Sequence, residues 1–185
     1  MSLSILAPPA LDPVTLTEAK AFLQLDSTFE DALVGDLIKA ATEAVEQATG
    51  KALIERTLQQ SVMAWPERGI FALQASPLMQ LIQLQSRDAA GVLSVVDPAD
   101  YYVDQASARI IALSGFIPPA FSQPSEAILV DFIAGYGNAG SDVPAALRTA
   151  LLLIVRALYE HRGATTGPLP LRAQALMAPF AKVRL

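Results

Sequence analysis

The chain contains no cysteine. That one absence excludes disulfides, thiolate metal sites and cysteine nucleophiles together. A single histidine excludes a multi-histidine metal centre as well. Charge is scarce: 17% of residues are charged, against about 25% in an ordinary soluble domain. Nor is there a long uncharged apolar run. The greasiest stretch, Ala150 to Val155, is bracketed by Arg148 and Arg156, and a bilayer needs about 20 apolar residues. The opening M-S-L-S-I-L-A-P-P-A lacks a basic region and a long apolar core, so no signal peptide is read and a soluble, cytoplasmic protein is expected.

What is present is a chain of 185 residues, one domain with room for a small extension. A chain of that size buries roughly 70% of its unfolded surface and needs no staples. The 52% hydrophobic content owes much to alanine, but so few charges also suit a subunit with large contact surfaces. The formal net charge of −5 hides a polarity along the chain. From Asp26 to Glu46 there are six acids against Lys39 alone, and from Ala145 onward six bases against Glu160 alone. Two readings stand: solvated faces of opposite sign, or complementary surfaces that meet between subunits or with a partner.

In chain order, residues 1–14 read as an extended, proline-bearing lead-in. Thr15 and Glu18 form a T-x-x-E capping box that opens a short helix to Leu25, and Ser27 and Glu30 a second box that opens a longer helix. Gly50 ends that second helix. Phe29, Leu33, Leu37, Ala41, Val45 and Ala48 give it one apolar stripe, with Asp36, Lys39, Glu43 and Glu46 on the other side. The middle, Leu53 to Tyr136, alternates in short runs that read as strands, with a hairpin turning at Asp88 to Gly91. Ala127 to Ala134 is apolar on both faces apart from Asp131, hence a central strand. Phe116 to Ser125 carries three prolines and reads as an irregular loop. The stretch Asp142 to Arg162 is the main helix, with Pro144 in its first turn, Ser141 or Asp142 as cap and Gly163 as stop. Its wet stripe is only Arg148, Arg156 and Glu160. A Gly/Pro-rich linker, Gly163 to Pro170, precedes one or two helical turns from Arg172 to Ala178. Strands flanked by helices predict an α+β domain.

The most tempting motif is G-Y-G-N-A-G, Gly135 to Gly140, which matches G-x-G-x-x-G between a strand and a helix. A dinucleotide fold also needs a second parallel strand and an acid about 20 residues on, and the chain after the helix is too short for a sheet. Gly135, Gly137 and Gly140 are therefore read as a structural turn. His161 sits beside Glu160 at a helix end without a nucleophile elbow, and reads as a surface histidine. The pairs Glu30–Asp31 and Asp97/Asp100 open a helix and a turn, where carboxylates serve local ends. Trp65 and the pair Tyr101–Tyr102 read as sheet packing. No catalytic residue, cofactor or metal is expected.

Six segments in register carry a family resemblance. They are P-V-T-L-T-E-A-K-A-F-L-Q-L-D (Pro13 to Asp26), D-A-L-V-G-D-L-I-K-A-A-T-E-A-V-E-Q-A-T-G-K-A-L (Asp31 to Leu53), S-P-L-M-Q-L-I (Ser76 to Ile82), D-P-A-D-Y-Y-V-D (Asp97 to Asp104), V-D-F-I-A-G-Y-G (Val130 to Gly137) and V-P-A-A-L-R-T-A-L-L-L-I-V-R-A-L-Y-E-H-R (Val143 to Arg162). Over roughly residues 13–180 the chain resembles the head–tail connector, or adaptor, proteins of long-tailed bacteriophages and phage-like gene transfer agents. The resemblance implies a non-enzymatic ring, usually dodecameric, beneath the portal of a DNA-filled capsid, in the virion neck. Such a ring lengthens the DNA channel, passes DNA without reading its sequence and offers a docking surface to stopper or tail proteins. It implies a mainly helical α+β fold: a bundle of two N-terminal helices, a long central helix and a short C-terminal one, with a small antiparallel β-domain inserted.

The expected division is a lead-in (1–14), one adaptor domain (15–162, β-rich insertion about 53–136) and a flexible linker with a portal-docking tail (163–185). For docking, Arg172, Lys182 and Arg184 offer positive charge, with Leu176, Met177 and Phe180 as anchors. For the ring interface or channel face the candidates are Asp36, Glu43, Glu46, Arg148 and Arg156. The competing readings are a nucleotide-binding enzyme using Gly135 to Gly140, and an unrelated soluble α+β binding module.

Overall fold

The computed structural model describes residues 2–66, 69–88, 90–113, 127–161 and 169–181. The chain divides into two compact units, one of Met1–Pro8 with Glu55–Gly135 and one of Pro9–Ile54 with Tyr136–Leu185.

The first unit is built of strands. They are β1 (Ser2–Ala7), β2 (Arg56–Val62), β3 (Ile70–Ala72), β4 (Leu78–Arg87), β5 (Leu93–Val95), β6 (Tyr101–Asp104), β7 (Arg109–Ala112) and β8 (Ile128–Ala134). Five make one antiparallel sheet in the order β1-β2-β8-β4-β5, and three make another in the order β3-β7-β6. β8 is central, as its two apolar faces require, with Phe132 opposite Leu58 on one side and Leu81 on the other. Its one acid is accounted for by register. Asp131 lies opposite both Gln59 and Gln83, whose side-chain amides donate to its carboxylate at 2.8 and 2.7 Å. Buried Gln60 uses both ends of its amide, donating to Ala72 O at 3.2 Å and accepting from Gln74 N–H at 2.8 Å. Such pairing is what lets a polar side chain stay inside. Trp65 meets Phe71 edge to face at 5.8 Å, the packing role expected of it.

The second unit holds α1 (Leu16–Leu23), α2 (Asp31–Thr49), α3 (Ala145–Glu160) and α4 (Leu171–Met177). Val34, Ile38, Ala41 and Val45 of α2 share one core with Leu147, Ala150, Leu151, Ile154 and Val155 of α3, and Ala173 and Met177 of α4 complete it. The expected box at α1 is present: Thr15 Oγ1 accepts from Glu18 N–H at 3.2 Å, and Glu18 Oε2 accepts from Thr15 N–H at 2.8 Å. Gly50 ends α2 with a left-handed φ of 67°.

Several expectations are corrected. The fold is not a mainly helical bundle with a small β insertion: it is α+β, with two antiparallel sheets beside four α-helices among the described residues. The strands bury a core of their own, including Leu58, Phe71, Leu84, Ile110 and Phe132. The lead-in adds to it, because Ser2–Ala7 pairs antiparallel with β2. The second capping box does not form. α2 starts at Asp31 without a side-chain cap, since Ser27 Oγ accepts from Phe29 N–H instead and Tyr159 donates its hydroxyl to Glu30 at 2.6 Å. The stripe read on α2 holds in part: Ala41 and Val45 are buried as read, but Leu33 and Ala48 are exposed and Leu37 is half-buried. Val34, Ile38, Ala41, Val45 and Thr49 point inward, while Phe29 is 93% exposed. At the start of α3, Asp142 caps the preceding turn, accepting from Ala139 N–H at 3.0 Å. The loop read at Phe116 to Ser125, the stop at Gly163 and the linker residues 163–168 lie outside the described residues.

Candidate interaction surfaces

The five residues read as ring or channel contacts do not stand alike. Asp36 and Glu43 project from α2 into solvent, and Asp36 has the exposed Lys39 beside it at 3.9 Å. Glu46 is half-buried and accepts from Leu53 N–H at 2.9 Å, so it closes the segment after α2. Arg148 is half-buried and paired with Glu18. Its Nε is buried without an acceptor among the described residues. Arg156 reaches along α3 to Glu160 at 2.7 Å, both exposed. Thus α2 presents open acids, while the bases of α3 already have partners in their own unit. The Thr15 N–H bond, more than any other contact, holds the Glu18 carboxyl below its ordinary value, and Arg148 acts in the same direction.

The docking candidates also separate. Met177 is 3% exposed and belongs to the helical core, against which Leu176 and Phe180 pack in part. Arg172 is exposed, next to Leu171 at 82% exposure. Sequence reasoning missed Leu171 because it stands in a proline-rich run, ahead of the turns read as helix. Lys182 and Arg184 lie outside the described residues.

The glycine turn is filled by protein. A Cβ at Gly137, whose φ is 159°, would run into the Asp142 carboxyl, and one at Gly140 would stand 2.6 Å from Pro13 O. Gly135 ends β8 with its N–H on Pro77 O at 3.0 Å. The N–H of Ala139 that could greet a phosphate is held by a carboxylate of the chain itself, and that carboxylate would repel one. Beside the turn lies a cleft of about 660 Å³, lined by Pro13, Thr15, Glu18, Ser141 and Arg148, but its opposite charges face each other. His161 is exposed, with Nδ1 2.9 Å from Ala157 O. Gly140→Ala is therefore expected to destabilise the fold by about 1–3 kcal/mol through overpacking against Pro13. Differential scanning fluorimetry should show that drop, and no rise when ATP or NAD is added to the parent chain. A rise with either nucleotide would restore the nucleotide reading.

Comparison with known proteins bears on surfaces of this kind. Residues 13–73 match the family model described as phage gp6-like head-tail connector protein. No curated protein matches. In the whole-chain fold comparison, the virion of a native gene transfer agent particle contains a chain with a TM-score of 0.84 and 29% identity. The neck of the empty particle, computed with C6 symmetry, gives 0.83 and 29%, and that of the native particle, computed with C12 symmetry, 0.82 and 28%. Each match covers 100% of this chain and 97% of the other. The resemblance read from the sequence is thus borne out: residues 13–73 are similar to the head-tail connector family, and the whole chain is similar in fold to chains of gene transfer agent particles, two of them from the neck.

Proposed function

We propose that this chain is the structural, non-enzymatic subunit of a ring in the neck of a phage-like particle. The ring sits beneath the capsid portal, lengthens the DNA channel and offers stopper or tail proteins a docking surface. One observation carries the reading: the fold match to chains of gene transfer agent particle necks runs over the entire chain at 28–29% identity. Those necks were computed with C6 and C12 symmetry, which supports a cyclic ring; in this proposal it is a dodecamer on the portal. The exposed acids Asp36 and Glu43 and the net charge of −5 suit a wall along which DNA slides without being bound. In this reading Arg172, with Lys182 and Arg184 from the C-terminal segment, meets the portal.

The test is co-expression with the cognate portal protein, followed by mass determination and electron microscopy. Rings of this chain stacked on the portal are expected. A chain that stays monomeric and ignores the portal would overturn the proposal and leave an unrelated binding module.

A further inference from the structure

The two outer strands of the five-stranded sheet, β1 and β5, each have one side without a neighbouring strand among the described residues. A free edge offers unpaired N–H and C=O groups to any passing strand, and monomers blunt such edges with charges, prolines or strong bulges. These edges are hardly blunted. Ser2–Ala7 reads S-L-S-I-L-A and Val92–Val96 reads V-L-S-V-V, with no charge or proline in either, and only one register shift, between Ile5 and Ala7. All six residues of β1 are exposed, Ile5 at 57% and Leu6 at 52%; Val92 and Val95 stand at 59% and 61%. Leu3 and Ile5 lie opposite Gln60 and Leu58, both buried, so the apolar face of the sheet runs on to β1 and is open there.

We propose that the occupant of each edge is the other edge of a second copy: β1 of one subunit lies beside β5 of the next. Three observations favour a copy of this chain over a foreign strand. The edges match in character, both uncharged and both apolar. They lie at opposite ends of one sheet and differ in sequence, so contact between copies is head-to-tail, the kind that closes into rings. Their directions also agree. Every pair in the sheet is antiparallel, and with five strands β1 and β5 run the same way. Copies added in one orientation therefore meet through a short parallel pair, and the sheets continue from subunit to subunit. Because parallel pairing is somewhat weaker per residue and β5 is only three residues long, the contact acts through repetition around a ring. The inference rests on the ring reading above.

The absence of cysteine makes a clean test. Ser4 and Val95 share a face of the sheet: Ser4 lies opposite Gln59, Gln59 opposite Asp131, Asp131 opposite Gln83, and Val95 opposite Gln85, two residues further along β4. Ser4→Cys with Val95→Cys, in the full chain co-expressed with portal protein and treated with a short bismaleimide, should give a ladder of cross-linked species reaching ring size. Each single variant should give no ladder. Separately, Ile5→Lys should abolish rings while leaving the circular dichroism spectrum and melting temperature of the subunit unchanged. Rings visible by electron microscopy without a ladder would refute the edge contact and leave the ring reading standing. So would rings that tolerate Ile5→Lys, dimers from Ser4→Cys alone, or cross-links that run only to the portal protein. If no rings form with the parent chain, the ring reading fails and this contact with it.

Discussion

Met177→Ala is expected to destabilise the full chain by about 2–5 kcal/mol, whereas Arg172→Glu should change stability by no more than about 0.5 kcal/mol. The two residues share one short helix, α4, and one expected role on the portal, yet they face opposite ways. Met177 is 3% exposed and Ala173, one turn earlier, is fully buried, both against the core formed by α2 and α3. Truncating Met177 leaves a cavity that the surrounding helices fill only in part. Arg172 is exposed and projects from the same helix into water. Chemical denaturation followed by circular dichroism measures the first effect, and portal co-purification at a temperature where both variants are folded measures docking. A loss below about 1 kcal/mol for Met177→Ala would refute the packing of α4. Normal portal binding by Arg172→Glu would remove Arg172 from the docking surface. Deleting the whole segment cannot separate these roles, because it removes part of the core along with the charge.

Where the sequence was legible, the determinants are local. The Thr15–Glu18 box closes within one turn through Glu18 Oε2, and Arg148 takes the other carboxylate oxygen, Oε1. Gly50 needs only its own φ to stop α2. The central place of β8 is equally readable, because a strand buried on both sides must be apolar on both faces. The Ser27–Glu30 box looks the same on paper and fails for a tertiary reason. Glu30 receives the Tyr159 hydroxyl, and Asp31 pairs with Lys20 at 2.5 Å, so the chain is held through contacts with α1 and α3 instead.

The partly misplaced stripe on α2 has a similar cause. Phe29, Leu33 and Leu37 lead at helical spacing to the buried Ala41 and Val45, but so do Val34 and Ile38, about 100° from Leu33 and Leu37 around the helix. Periodicity finds both and cannot say which one the core takes. β1 was read only as a lead-in because its pairing is remote: Ser2 lies opposite Ser61, with two helices between them in the chain. Composition placed acids early and bases late. It could not show that Arg148 would find Glu18, or that Glu46 would turn back to Leu53, and those pairings decide which charges remain for a partner.

Reversing the acids that do remain should have the larger effect on assembly. Asp36→Lys with Glu43→Lys is expected to prevent ring formation on the portal at low salt while leaving the subunit folded, since both side chains project into solvent. Glu46 is left untouched because its bond to Leu53 would confuse stability with assembly. In a cyclic ring each subunit shows its neighbours two different surfaces, so an acidic helix on one copy meets another surface on the next. Contact between exposed charges weakens as salt screens them, over about 10 Å at 0.1 M, so the defect of the double variant should shrink as salt rises. If the acids line the channel instead, the variant still forms rings, and these now retain DNA, because four lysines on two adjacent subunits offer phosphate contacts where there was repulsion. Electron microscopy of the rings and the absorbance ratio at 260 and 280 nm separate the two outcomes. Rings that assemble as before and carry no DNA would remove both roles and leave α2 a solvated surface.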